Sequence, residues 1–213
     1  MNRLLKVLFV LLVVKPVVLL VLGLNVRGRY KLPRSGPAII VANHNSHLDT
    51  MVLFSLYPIS RVHKLRPVAA ADYFLKNRLL AWFALNVIGI IPIMRSGSVK
   101  KDAMFSGCHA ALDNRDILIL FPEGTRGEPE QAGKLKKGIY HLVKDRTDTR
   151  IVPVVTHGLG RALPRGEALL VPFTCDVVIG DTLPPVGSSA EMLAMIGENF
   201  SHLLQDCITY HKT

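Results

Sequence analysis

A set of short, unbroken apolar runs constrains this chain more than any other feature. Residues 38–42 (AIIVA), 117–121 (ILILF) and 151–155 (IVPVV) hold no charged or hydroxyl residue, and 67–71 and 88–94 add similar material. A strand covered on one face alternates apolar and polar residues, whereas a strand covered on both reads as a continuous apolar run. Between these runs lie stretches with helical character at 75–86, 100–113, 138–144 and 190–210, and 168–179 contains a further strand. That alternation predicts an α/β fold, with a mixed, largely buried sheet flanked by helices.

The first 26 residues are different in kind. Residues 4–24 are apolar except for Lys6 and Lys15, and Pro16 follows Lys15 directly. A membrane-spanning helix needs about 20 apolar residues. A lysine near its middle costs a few kcal/mol, and proline kinks a helix interior. Asn25-Val26-Arg27 offers no small-residue cleavage site, which argues against a removed signal peptide. Basic residues flank the run on both sides, Arg3 and Lys6 before it and Arg27, Arg29, Lys31 and Arg34 after it, and both flanks favour the cytoplasm. The expectation is a permanent membrane anchor at 1–26, as a re-entrant hairpin hinged at Lys15-Pro16 or as a single span. One globular domain follows at 27–213, on the cytoplasmic face of the membrane.

Charge bears on the partner. The formal net charge is +10. Nucleic acid and anionic lipid both attract such a surface. Single-stranded nucleic acid binding wants aromatic side chains among the basic ones. Aromatics are only 7%, and Lys134, Lys136 and Lys137 have just Tyr140 beside them. With the apolar N-terminus, anionic membrane lipids are the expected partner and nucleic acid is not. Cys108, Cys175 and Cys207 are odd in number and widely spaced, so no disulfide framework is expected.

Two polar segments follow strand-like runs. His44 and Asp49 are five residues apart. On one helix they would not share a face. With His44 in the turn before a helix and Asp49 in its first turn, the carboxylate can reach back to one imidazole nitrogen and leave the other as a base. Ser46-His47-Leu48-Asp49 also fits a helix-capping box, which gives Asp49 a structural alternative. A metal site at His44, His47 and Asp49 lacks a fourth ligand at familiar spacing. The second segment is Phe121-Pro122-Glu123-Gly124-Thr125-Arg126. Gly124 permits a sharp turn, Arg126 offers a planar fork for phosphate, and Glu123 can orient that arginine or bind a hydroxyl. Arg95 ends another run. No GxSxG nucleophile motif is present, so a base here activates the substrate's own hydroxyl.

Together these motifs resemble the glycerolipid acyltransferase family, of the bacterial 1-acylglycerol-3-phosphate acyltransferase type. Its HX4D signature is similar to His44 through Asp49. Its second block resembles Gly89-Ile-Ile-Pro-Ile-Met-Arg95, its third is present as Phe121 to Arg126, and its fourth resembles Ile151-Val-Pro-Val-Val155. The resemblance implies a membrane-bound O-acyltransferase. An acyl group passes from acyl-CoA or acyl carrier protein, as co-substrate, to the free hydroxyl of a lysophospholipid. His44 is the implied base and Asp49 its orienting partner. Arg95, Glu123, Gly124, Thr125 and Arg126 are implied in glycerol phosphate binding. Lys137 is similar to a basic residue that follows the third block, and Pro153 is implied in shaping the site or the acyl-carrier contact. No metal or bound cofactor is implied, and in a bacterium the location is the inner membrane. Many phosphatidate-forming members carry a more polar run before the second-block arginine than Ile93-Met94. The acceptor thus stays open between 1-acylglycerol-3-phosphate and another lysophospholipid or amino-lipid. A silent lipid-binding protein on the same fold is the other alternative.

Overall fold

The computed structural model describes residues 2–46, 48–94, 101–125, 133–162 and 173–210. Seven strands form one mixed sheet: β1 Leu22–Arg27, β2 Ala38–Ala42, β3 Leu65–Ala70, β4 Ile91–Ile93, β5 Ile117–Leu120, β6 Arg150–His157 and β7 Phe173–Ile179. Their order is β1-β7-β6-β2-β5-β3-β4. From β6 through β4 neighbours are parallel, while β7 runs antiparallel to β6 and β1 parallel to β7. The helices are α1 Arg3–Phe9, α2 Lys15–Val21, α3 Leu48–Ser55, α4 Ala71–Phe74, α5 Arg78–Phe83, α6 Lys101–Asp113, α7 Gly138–Val143, α8 Leu159–Ala162 and α9 Ser189–Gln205.

The unbroken apolar runs have the two-sided environment that their composition demands. In β2, Ala38, Ile40 and Ala42 enter one core and Ile39 and Val41 the other. In β5, Ile117 and Ile119 face the first core, Leu118 and Leu120 the second. The first core is closed by Val52, Leu53 and Phe54 of α3 and by Val10, Val14 and Val18. The second is closed by Phe105, Cys108 and Leu112 of α6, Ile139 and Leu142 of α7, and Met192, Ile196, Phe200 and Leu203 of α9. All three cysteines are buried and none forms a disulfide.

The N-terminus departs from expectation in two ways. The hinge at Lys15-Pro16 is absent: α1, a π-helical stretch at Val10–Val14 and α2 follow one another with helical backbone at both joins. The wide turn explains how Pro16 is accommodated. Lys15 N–H donates to Val10 O, five residues back, in a ladder opened just before the residue that has no N–H to give. Lys6 is fully buried, its Nζ donating to Leu65 O and, at 2.7 Å, to Ile88 O, and lying 4.4 Å from the Phe54 ring centroid. Among the described residues, no helix is long and apolar enough to cross a membrane. The second departure is β1. The expected boundary after residue 26 falls inside a strand paired with β7 from Leu22↔Phe173 to Arg27↔Val178. An apolar run carries no mark of where helix ends and strand begins, so the sequence did not separate them.

Candidate active site

Parallel strands deliver their C-terminal ends to one edge, and the residues beyond those ends meet there. β2 lies between β5 and β6. Residues 43–46, 121–125 and 156–157 therefore come together although they are far apart in sequence.

His44 sits in the turn after β2, and Asp49 is in the first turn of α3. His44 Nδ1 lies 2.9 Å from Asp49 Oδ2. The same oxygen accepts the backbone N–H groups of Asn45 at 2.8 Å and Ser46 at 2.9 Å. Oδ1 accepts the Thr156 hydroxyl at 3.1 Å. Asp49 is completely buried, and these donors, with the positive end of α3, make a carboxylate tenable there. The capping alternative and the orienting one thus coexist, for Asp49 caps the start of α3 and holds the imidazole at once. An acceptor-only carboxylate at Nδ1 assigns the proton to that nitrogen and leaves the lone pair on Nε2. The His44 ring stacks on Phe121, with centroids 4.1 Å apart and planes at 20°. Its side chain is 20% exposed. The imidazole is thus held at Nδ1 by the carboxylate and is partly open to solvent.

Glu123 joins this group through Oε1, which accepts His44 N–H at 3.1 Å. Burial raises the Glu123 pKa above the ordinary carboxyl value, against the His44 hydrogen bond, which lowers it. Its Oε2 is buried and has no hydrogen-bond partner among the described residues. Gly124 has φ of 72°, so the turn does require glycine. A Cβ there would meet the Lys136 side chain. Lys136 is itself tied back by its N–H to Pro122 O at 2.8 Å. Thr125 is exposed.

Lys137 is the N-cap of α7 and exposed, and no described contact joins it to His44 or Asp49. Pro153 is buried in the middle of β6, paired in register with Val41, and its carbonyl accepts Gly180 N–H at 2.9 Å. It stands three residues, about 10 Å along a strand, before Thr156. His47, Arg95 and Arg126 lie outside the described residues.

Sequence reasoning missed Thr156 and Asn43. Asn43 Oδ1 accepts Thr156 N–H at 2.7 Å, and its Nδ2 donates to Thr156 O at 2.8 Å. Asn45 Nδ2 also donates to Thr156 O, at 3.0 Å. The β6 end is thereby clamped to the His44 turn. Only the adjacency of β2 and β6 reveals this, and no local pattern encodes it. Among the described residues, no group of three or more His, Cys, Asp and Glu side chains is placed to hold a metal ion.

A seven-stranded α/β sheet thus presents an imidazole–carboxylate pair beyond its central strand. The sequence profile of the Acyltransferase family matches residues 23–157, and the chain belongs to that family. It is similar to a chloroplastic 1-acyl-sn-glycerol-3-phosphate acyltransferase, LPAT1, of Arabidopsis thaliana, 30% identical over 80% of this chain and 46% of that one. It is also similar to the human 1-acyl-sn-glycerol-3-phosphate acyltransferase alpha, 26% identical over 84% of this chain and 61% of that one. This chain thus spans about half the length of the first and three fifths of the second. The crystal structure of the 1-acyl-sn-glycerophosphate acyltransferase PlsC of Thermotoga maritima has the same fold. Its TM-score is 0.68 at 19% identity, over 87% of this chain and 72% of that one.

Proposed function

We propose that this protein transfers a fatty acyl group from a thioester, acyl-CoA or acyl carrier protein, to the free hydroxyl of 1-acylglycerol-3-phosphate, giving phosphatidic acid. The observation that carries the reading is the 2.9 Å contact of His44 Nδ1 with the buried Asp49 carboxylate. The names of the relatives support the choice of acceptor. His44 Nε2 takes the proton of the acceptor hydroxyl as its oxygen attacks the thioester carbonyl carbon. The tetrahedral intermediate expels the thiolate, which takes the proton from the imidazolium and leaves as a free thiol. Asp49 holds the ring and offsets its transient positive charge. A base so placed contributes about 10²–10⁴-fold.

Head-group recognition falls to the turn after β5. Glu123 Oε2 is a buried acceptor for an acceptor hydroxyl or for the Arg126 guanidinium, and Gly124 and Thr125 lie beside it. Arg95 and Arg126 supply phosphate forks, and Lys136, packed over Gly124, adds a cation. Lys137 and Pro153 play supporting parts, in local charge and in the packing of β6.

The N-terminal helices serve as an in-plane membrane anchor for the acyltransferase domain, at the cytoplasmic face. Leu19 and Leu20 are 76% and 84% exposed, and Leu79 and Trp82 of α5 are 82% and 54% exposed. Phe9 meets Phe83 edge to face at 5.3 Å, which joins α1 to α5. Exposed apolar surfaces of this kind suit a lipid interface.

The test uses detergent-purified protein with acyl-CoA and 1-acylglycerol-3-phosphate, reading thiol release and product mass. Acceptor-dependent release that is lost in His44→Ala supports the reading. Release without acceptor makes the protein a thioesterase, and silence with every donor and lysolipid refutes acyl transfer.

A further inference from the structure

Just past the C-terminal end of α3 lies an open recess of about 430 Å³, lined by Arg29, Arg34 and Arg61 together with Tyr30, Leu56 and Tyr57. It is separate from the His44 site. Asp49 stands in the first turn of α3, and Leu56 follows the last residue of that helix, about 10 Å further along the axis. Arg34 precedes β2, whereas His44 follows it. The recess and the base thus occupy opposite ends of both elements.

Guanidinium groups repel one another, so three in one recess call for a reason. Part of it is internal. Arg29 Nε and Nη2 donate to Leu56 O at 3.1 and 2.6 Å and so satisfy a carbonyl at the end of α3. Arg61 Nη1 donates to Arg34 O at 2.9 Å. Arg150 Nη2 donates to Ser35 O at 2.7 Å, and the buried Tyr57 hydroxyl to Pro33 O at 3.0 Å. Three side chains therefore hold the segment that carries Arg34. A guanidinium has five N–H groups. The bonds above use two from Arg29 and one from Arg61, and the Arg34 guanidinium takes no part in them. All three arginines are exposed. Several planar forks with donors to spare suit the oxygens of a phosphate.

The surroundings favour a lipid phosphate over a dissolved one. The helical turn Ile59–Lys64, which carries Arg61, packs on α1, and α3 packs on the Val10–Val14 stretch. The recess therefore borders the N-terminal helices, whose Leu4, Leu8 and Leu12 are exposed. Tyr30 is exposed as well, and tyrosine at a membrane surface sits at head-group level. Leucines for the acyl layer and arginines for the phosphate layer stand side by side, as in one leaflet.

We propose that this recess binds the phosphate of an anionic phospholipid that is not a substrate, and so sets how the domain sits on the bilayer. The proposal rests on the membrane-anchor reading above and is independent of acyl transfer.

The test measures partition of the full chain onto vesicles of phosphatidylcholine, with and without phosphatidylglycerol. Arg34→Gln, Arg34→Gln with Arg61→Gln, and Lys144→Gln are compared with wild type, and melting verifies folding. Lys144 follows α7, which covers the second core, so its variant removes the same charge from the other face of the sheet. A basic side chain at an anionic surface contributes about fivefold to partition. Partition onto phosphatidylglycerol should fall about fivefold in Arg34→Gln and about twentyfold in the double variant. Lys144→Gln should stay within twofold, as should every variant on neutral vesicles. Arg34→Gln decides the matter if the double variant fails to fold. Partition within twofold of wild type in folded Arg34→Gln overturns the proposal. An equal loss in Lys144→Gln also overturns it, because the attraction would then be diffuse. Inorganic phosphate supplies the last arm. A phosphate-induced rise in melting temperature that Arg34→Gln abolishes, with vesicle partition unaltered, would assign the recess to a dissolved anion and overturn the lipid. Neutral vesicles read the anchor and the phosphatidylglycerol increment reads the recess, so the two readings fail separately.

Discussion

Thr156 donates its hydroxyl to Asp49 Oδ1 at 3.1 Å, on the carboxylate oxygen that His44 does not use. The strand beside β2 thereby fixes the carboxylate that fixes the imidazole. Thr156→Val keeps the shape and removes the donor, leaving a buried lone pair unmet at about 1–3 kcal/mol. The expected result is a lower urea midpoint and a kcat reduced by about tenfold, with acceptor KM within twofold. Thr156→Ser should restore most of both. Equal kcat in Thr156→Val and wild type would show that the bond does not position Asp49.

His44→Ala should remove about 10²–10⁴-fold of kcat while leaving lysolipid binding and melting temperature near wild type. Asp49 has the heavier structural part. Asp49→Asn should lose comparable activity and also destabilise the fold, because its single amide oxygen cannot accept both from the Asn45 and Ser46 N–H groups and from the Thr156 hydroxyl. A stable, active Asp49→Asn enzyme would contradict both roles.

Lys6 makes stability depend on pH in an unusual direction. Burial, aided by the Arg66 charge and opposed by Asp116, lowers its pKa to about 7, whereas an unfolded lysine titrates near ~10.4. Between these values the unfolded chain holds a proton that the folded chain does not, so Lys6 makes stability rise with pH. The stability of wild type relative to Lys6→Met should increase from pH 7 to pH 10, by at most about 1.4 kcal/mol per unit. Urea unfolding at pH 7, 8 and 9 measures it. A constant difference would mean that Lys6 stays protonated in the fold.

Replacing Leu19 and Leu20 with serine should weaken sedimentation with vesicles containing phosphatidylglycerol by tenfold or more, since each buried leucine contributes about 1.5–3 kcal/mol. Melting in detergent should barely change, because both side chains are exposed. Undiminished sedimentation would place the membrane contact elsewhere.

The interior of the fold was legible from residue type alone. Ile39 and Ile40 point to opposite cores, as the unbroken run 38–42 requires. His44 and Asp49 were legible as a pair because five residues are enough for a turn followed by a helix start. Thr156 and His157 were not, because their neighbours are set by strand order rather than spacing. β1 was hidden inside an apolar run that begins as helix. Lys136 and Lys137 differ by one position, and only the fold of the 133–137 segment back onto Pro122 brings Lys136 to Gly124.

The wide turn at Val10–Val14 has a geometric consequence beyond its service to Pro16. Lys6, Val10, Val14 and Val18 are all buried, at a strict spacing of four. In a regular helix such a row drifts by about 40° at each step and winds around the axis. A turn closed five residues back takes up part of that drift, so the inward row winds less than it would in a regular helix. The outward row of Leu4, Leu8 and Leu12 shares the spacing and winds less with it. On the membrane-anchor proposal, such a row lies along a flat bilayer as a keel rather than a spiral. Deleting one residue from Val10–Val14 would swing Leu4 and Leu8 by about 100° relative to Leu19 and Leu20, so that one end of the keel would lift as the other settled.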